Sequence, residues 1–420
     1  MSSGKELPKM DSMGAVPEKV AAKTPETIAQ VRKERITKID QDIRLLSHAA
    51  DSSKDESEMR ATLEEDYQGE VDGLEAALGI ISKESKQAIH GHMVDDQVRV
   101  ERNRGARLDA LEIEKLHLLL LTPEEEKAAR ESGKEINEIK KRSENGAEFI
   151  GRGFAHANTV EPMQPTVDAL MQEDPDIVLI EGGLSLEDFY PGESLSEILK
   201  KDPARVIAEK GEEPYIALLA MREGKEVRTW DTRTIEQIRE VLKLKDETTG
   251  EHKYGPQDVT DWMVTYAARR AHASYDENKP HESNVRPSAD EIRRRSGVAL
   301  SGGGVEEAVS LGIELTNENI DASLQRHMGF SLAELVKRFD DPELRKEDRA
   351  RIIEMTEPQL VGERRVTSDV LRDMNIVRDE HAIDVFRELK KRYPDKKLFA
   401  IGGASHCTVW EPAIDELYKP

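Results

Sequence analysis

Cysteine is nearly absent: Cys407 is the single one in 420 residues. That excludes an intramolecular disulfide framework and any all-cysteine metal site, and it suits a reducing compartment. Aromatic residues make up only 4% and hydrophobic residues 37%, against 35% charged. Part of the chain must therefore be polar helix or tail, although the composition is richer than that of a wholly disordered chain. Positive charge is the minority sign, with 62 basic side chains against 85 acidic ones and a formal net charge of -23. Such a field repels phosphate backbones and anionic headgroups, which argues against nucleic-acid and membrane-surface partners. Long apolar runs are missing as well. The longest, Leu116 to Leu121 with His117 inside it, falls far short of the roughly 20 residues a bilayer-spanning helix requires. Residues 1–23 lack the apolar core of a secretory signal. The expectation is a cytoplasmic protein, long enough for one large domain or two to three smaller ones.

Residues 1–24 mix Ser, Gly, Pro and Lys with few large apolar side chains, so burial cannot offset their ordering entropy and they read as a disordered tail. Residues 25–145 read as a helical hairpin or bundle. Ile28, Val31, Ile36, Ile39, Ile43 and Leu46 form one stripe, and Met59, Leu63, Tyr67, Val71, Leu74, Leu78 and Ile81 form a cleaner seam at helical spacing. A seam over 59–81 must pack on something, self-association included. A further helix is expected around Arg107 to Leu121. Thr122-Pro123-Glu124-Glu125 then reads as an N-cap, a first-turn proline and a capping-box glutamate, opening a charged helix that runs to about Arg142.

The character changes at Asn145-Gly146. Short apolar runs at Glu148 to Gly151 and Asp176 to Ile180, a strand at Val227 to Trp230, and helices at Pro165 to Gln172, Glu213 to Arg222 and Thr234 to Lys243 alternate as βαβ units do. Residues 146–247 are therefore read as a first α/β half and 248–366 as a helical insertion. Residues 367–420, with a helix from Ser368 to Arg392 and a last strand at Lys397 to Ile401, form a second α/β half that completes the sheet. The predicted fold class is α/β, a mainly parallel sheet flanked by helices, with an N-terminal helical region and a helical insertion.

Chemistry gathers at the strand ends. The first α/β strand runs into Gly153-Phe154-Ala155-His156 and the last into Gly403-Ala404-Ser405-His406, two Gly-x-x-His sequences. The second strand ends in Glu181 and the third in Asp231. Ligands bind outside the carboxyl ends of parallel strands, where Gly153 and Gly403 would let the backbone turn beside a bound group. Helices that precede a parallel strand start at the same edge. This directs attention to Glu213 and to Arg378-Asp379, taken as the start of an inward-facing stretch that aims Arg378 at His406. The alternative is that these polar residues simply open loops, with Glu213 a favourable first-turn acid and Arg378 a structural ion pair.

These residues, the two Gly-x-x-His sequences with Glu181 between them and Arg378-Asp379 before the second, resemble the TraB, GumN and Tiki group within the wider erythromycin esterase and ChaN superfamily. The resemblance covers about Glu148 to Asp246 and Ser368 to Pro412. It implies an α/β hydrolase of amide (peptide) or ester bonds, with a peptide or small molecule as substrate and a divalent metal, Mn, Co or Zn, as cofactor. By position, His156 and His406 become metal ligands or proton-transfer groups, Glu181 a ligand or general base, and Arg378 an anion stabiliser. Two imidazoles and a carboxylate, with Asp231 as a further donor, are a usual divalent-cation set, and without a metal a histidine beside Glu181 can act as general base. Two other readings stand beside this one: a non-catalytic haem- or metal-binding protein, as in ChaN relatives, and a scaffold with a degenerate enzyme domain.

Other sequences carry less. Cys407 follows His406 directly, and on a strand the two would point to opposite faces. Ser301-Gly302-Gly303-Gly304 lacks the Gly-Lys-Ser/Thr of a phosphate loop, and His90-Gly91-His92 is a short metal-compatible pair in a polar linker.

Overall fold

The computed structural model describes residues 25–47, 103–154, 159–182, 190, 192–246, 249–273, 284–299, 304–329, 331–347 and 366–419. The expected tail, the 59–81 seam, His90 and His92, His156, and Ser301 to Gly303 lie outside them. The chain divides into two compact units, Met1–Leu108 and Asp109–Pro420. In the first, α1 (Pro25–Ser47) buries Ile39 fully, while Val31 of the expected stripe is exposed.

The second unit holds the sheet. Residues 109–119 belong to a helix, α2. α3 (Pro123–Glu131) follows with the expected capping box: Glu125 N–H donates to Thr122 Oγ1 at 3.2 Å and Thr122 N–H to Glu125 Oε2 at 2.8 Å. The charged helix stops there, not at Arg142. Residues Glu138–Arg142 are instead strand β1, antiparallel to β2 (Glu148–Phe154), with Ile139 opposite Gly151. Only Ile139 of β1 is buried. An edge strand with one inward apolar residue among four charged neighbours offers little period-2 signal, which explains the missed strand.

From β2 the alternation proceeds as expected: α4 (Val160–Glu173), β3 (Ile177–Ile180), α5 (Pro203–Lys210), α6 (Glu212–Arg222), β4 (Glu226–Thr229) and α7 (Thr234–Lys243). The intervening region contributes α8 (Pro256–Ala273), α9 (Ala289–Ala299), α10 (Gly304–Ser310), α11 (Asn317–Met328) and α12 (Leu332–Phe339). Then come α13 (Val366–Arg392), β5 (Lys397–Gly403) and α14 (Ala404–Leu417). The sheet order is β1-β2-β5-β3-β4, and every pairing except β1 with β2 is parallel.

Alternation along the strands explains the layers. Phe149, Leu179, Leu398 and Ala400 face α13 and α14, where they pack with Phe386, Ile383, Trp410 and Ile414. Ile150, Val178, Phe399 and Ile401 face α4 and α6, packing with Met163, Leu170 and Ile216. Both sheet faces are covered, as a parallel sheet requires. Among the described residues, no helix is long and apolar enough to cross a membrane.

Arg378 and Asp379 do not begin a helix. α13 starts at Val366, so they sit in its middle. They still reach the carboxyl edge of the sheet for a geometric reason. The helix climbs about 21 Å from Arg392 back to Arg378 at 1.5 Å per residue, and β5 climbs about 20 Å at 3.3 Å per residue. The turns of α13 beyond that edge bury Val370 and Met374 against α7 and α8. The intervening helices are thereby joined to the helix that carries the site.

Candidate functional site

Five chain segments converge at the carboxyl edge. β3 delivers Glu181, β4 delivers Trp230 and Asp231, α13 delivers Arg378 and Asp379, β5 ends at Gly402 and Gly403, and the first turn of α14 carries His406. β2 and β5 are hydrogen-bonded neighbours with Gly153 opposite Gly402 and Phe154 opposite Gly403, so the two strands that lead into the Gly-x-x-His sequences end side by side. His406 is described and buried, at 8% exposure.

The imidazole is held at both nitrogens. Nδ1 lies 2.7 Å from Asp379 Oδ1, and Nε2 faces Glu181 Oε1 at 3.8 Å. Burial opposes a charge on the ring, but the charge and hydrogen bond of Asp379, reinforced by Glu181, outweigh it and push the His406 pKa up to about 10. His406 is thus an imidazolium at neutral pH, which suits it to donate a proton. A raised pKa makes this ring a better proton donor than the expected histidine base beside Glu181. Burial would raise the pKa of Glu181, yet the neighbouring His406 and the charge and hydrogen bond of Arg378 hold its carboxyl far below the usual range.

Arg378 is the hub. Its Nη2 donates to Glu181 Oε1 at 2.5 Å and to Asp231 Oδ2 at 2.7 Å, while Nε reaches Asp231 Oδ1 at 3.1 Å. Asp231 also accepts from Thr232 N–H at 2.7 Å and from Gln237 Nε2 at 3.3 Å, and the second Glu181 oxygen accepts from Gly403 N–H at 2.8 Å. The guanidinium is committed to two carboxylates, so it orients them; its charge is not aimed at an incoming anion. A divalent ion bound to both carboxylates would stand against that guanidinium. Among the described residues, no group of three or more His, Cys, Asp or Glu is arranged to hold a metal ion.

Aromatic rings enclose His406. Trp410 stacks on it with centroids 5.1 Å apart and planes 23° apart, and Trp230 meets it edge-on at 5.2 Å. Trp230 is anchored by its own N–H to Ile401 O at 2.6 Å. Gly402 makes this packing possible, since a Cβ there would lie 2.9 Å from Trp230 Cζ2 and 3.4 Å from His406 Cδ2. Gly153 serves a similar purpose between backbones, where a Cβ would come within 2.7 Å of Ala404 Cα. Cys407 lies on helix α14 and not on a strand; its thiol is buried beside Gly151, and burial pushes its pKa up to about 12.

Glu126, on α3, lies near the site. The segment around α3 is pinned to α14 by Leu121 N–H to Val409 O at 3.2 Å and Ile136 N–H to Thr408 Oγ1 at 2.9 Å. Glu126 pairs with Arg130 at 2.6 Å. Burial weakens its acidity, Arg130 partly restores it, and it lies in the fields of Asp379 and His406. Glu213 lies in the first turn of α6, which opens at Glu212, with its carboxylate beside Gly211.

Of the expected residues, the structure therefore gathers Glu181, Asp231, Arg378, Asp379, Gly403 and His406 into one network. Trp230, Trp410, Gly402 and Glu126 were missed. Trp410 had a signal, its position four residues after His406 on an apolar helical face; Glu126, one of three consecutive glutamates, had none. No family model, curated protein or solved structure matches this chain.

Proposed function

We propose that the chain is a cytoplasmic hydrolase of amide (peptide) or ester bonds, of the kind to which its two Gly-x-x-His sequences bear a resemblance, TraB, GumN and Tiki. The observation that carries this reading is His406, held between Asp379 and Glu181 at the carboxyl edge of the sheet, beside the strand that leads into His156. In this reading His156 takes the proton of a water whose oxygen attacks the carbonyl carbon. His406 then gives its Nε2 proton to the departing nitrogen or oxygen as that bond breaks. A proton held so firmly goes to a strongly basic acceptor, which a departing amine or alkoxide is. Asp379 keeps Nδ1 bonded throughout, and Arg378 keeps Glu181 ionised and holds Glu181 and Asp231 in place.

One observation favours a metal-assisted form of the same reaction. A carboxylate behind Nδ1 is how metal-binding histidines are supported, and in this form the ring would be neutral, with Nε2 turned to the ion in place of a proton. His406 and Glu181, with His156, would then hold the ion and Asp231 would stand near; the metal would supply an activated water. The haem-binding alternative is disfavoured by the enclosure of His406 between Trp410, Trp230, Asp379 and Glu181, which leaves a macrocycle little approach to the ring.

The test is turnover of a panel of nitrophenyl esters and fluorogenic peptide amides by the parent, His156→Gln, His406→Gln and the double variant, with metal content measured alongside. Either single change should abolish most activity and the double should cost little more, because groups that act as a unit are non-additive. Stoichiometric Mn, Co or Zn lost in His406→Gln selects the metal-assisted form. Full activity in His406→Gln, or no turnover by the parent across the panel, overturns the hydrolase reading.

A further inference from the structure

Asp379 Oδ1 accepts two hydrogen bonds: one from His406 Nδ1 at 2.7 Å, and a second from Trp410 Nε1–H at 2.6 Å. Trp410 and His406 lie four residues apart on α14, on one face of the helix, and their rings are stacked. Trp410 thus touches the histidine twice, once through its face and once through the carboxylate both rings share. We infer that Trp410 is a positioning residue of the His406 centre, fixing the carboxylate that orients the imidazole.

The geometry carries this in steps. A carboxylate that bonds only an imidazole can rotate about its own axis and let the ring tilt; a second donor on the same oxygen removes that freedom. With Asp379 fixed, Nδ1 is fixed. The stack on Trp410 then allows the ring to turn only in its own plane, and the Nδ1 bond prevents that too. Nε2 has one direction left, towards Glu181.

The other tryptophans show that burial alone does not require this arrangement. Trp230 gives its N–H to a backbone carbonyl, and the buried Nε1 of Trp262 has no hydrogen-bond partner among the described residues. Trp410 is fully buried among Phe386, Trp230 and the sheet, with an edge-on contact to Phe386 at 5.2 Å and to Trp230 at 4.9 Å. Packing would be served by any large ring there. What distinguishes the indole is its N–H, aimed at the one carboxylate that His406 uses.

The role in turnover rests on the hydrolase reading; the positioning itself does not, and the experiment separates the two. Trp410→Phe keeps an aromatic face over His406 and removes only the donor. In the parent, the Nδ1–H proton of His406 should give a low-field NMR signal, assigned by its loss in His406→Gln. In Trp410→Phe this signal should move upfield or broaden by exchange, whereas Trp262→Phe should leave it in place. On the best ester or amide of the panel, kcat should fall about 10- to 100-fold, the range seen when supporting partners of a site histidine are removed, with KM unchanged within about twofold. An unchanged Nδ1–H signal in Trp410→Phe overturns the inference, whatever the turnover. If Trp410→Phe does not fold, Asp379→Asn reports the same contact from the other side: the indole Nε1–H signal of Trp410 should move upfield, and an unmoved signal overturns the inference equally.

Discussion

Replacing Arg378 by Met leaves the aliphatic stem roughly in place and deletes the guanidinium that joins Glu181 to Asp231. Both carboxylates are largely buried, with side-chain exposures of 12% and 7%. Breaking a buried ion pair by removing one partner costs about 3–5 kcal/mol, because the remaining charge is left uncompensated. The lower end applies here. Glu181 keeps the Gly403 N–H and His406, and Asp231 keeps Thr232 N–H and Gln237. The expected loss is about 3 kcal/mol, which at roughly 2–4 °C per kcal/mol lowers the thermal midpoint by roughly 6–12 °C. Denaturant titration and thermal melts near neutral pH measure it. Adding Asp231→Asn to Arg378→Met should cost nothing further, so the cycle should show a coupling of at least about 1 kcal/mol. Acid supplies a second check. In the parent the folded-state pKa of Glu181 lies below its ordinary 4.5, so its stabilising contribution is present above that pH and is lost as the pH falls. Without Arg378 the depression weakens, and the gap between variant and parent should narrow on acidification. A loss within about 0.5 kcal/mol, as for an exposed ion pair, or strictly additive losses in the cycle, would refute the view of Arg378 as the hub.

Gly402→Ala should cost about 1–3 kcal/mol by overpacking, since its Cβ meets Trp230, which is held to Ile401 O and cannot withdraw; a melt equal to the parent's would contradict this. Thr122→Ala removes the cap of α3 and should cost about 1 kcal/mol, visible as faster amide exchange confined to residues 123–131. His117 bonds Asp384 at 2.9 Å, and although burial lowers its pKa, Asp384 and Glu380 raise it above the ordinary 6.5. A folded pKa above the unfolded one means stability fully present below that value and lost as pH rises through the raised pKa. The parent should therefore lose more stability than Asp384→Asn between about pH 6 and pH 8, and parallel stability curves would rule this out.

Strands β2, β3 and β5 were legible because each carries a short apolar run buried on both faces, whereas β4, an edge strand with no buried residue, was legible from its place in the βαβ alternation. β1 was not, because a strand paired on one side needs only Ile139 inward. The site was half legible for a related reason. Glycine, histidine and carboxylates at strand ends mark the edge where ligands bind, and that edge is readable from the sequence. Which charges neutralise which is not. For Arg378 both an anion site and a structural ion pair were open readings, and its partners could not be named because Glu181 and Asp231 arrive from strand ends 197 and 147 residues away, which no local pattern records. Asp379 was noticed only as the neighbour of Arg378, yet it governs His406.

The order β1-β2-β5-β3-β4 has a consequence for how the site comes into being. β5 is the last strand in sequence, but it lies between β2 and β3, so the sheet is split until the C-terminal segment inserts. The same insertion supplies the Gly403 N–H for Glu181 and the imidazole for Asp379. Before it, Glu181, Asp231 and Asp379 have Arg378 alone among the cations of the network, and burying the remaining carboxylates unpaired would be costly. The charges must therefore stay solvated until β5 and α14 dock. Sheet completion and charge neutralisation then become one event, closed by contacts of long sequence separation, which are slow to form. A partly folded chain consequently holds no imidazolium at the sheet edge, and the His406 centre exists only in the finished fold.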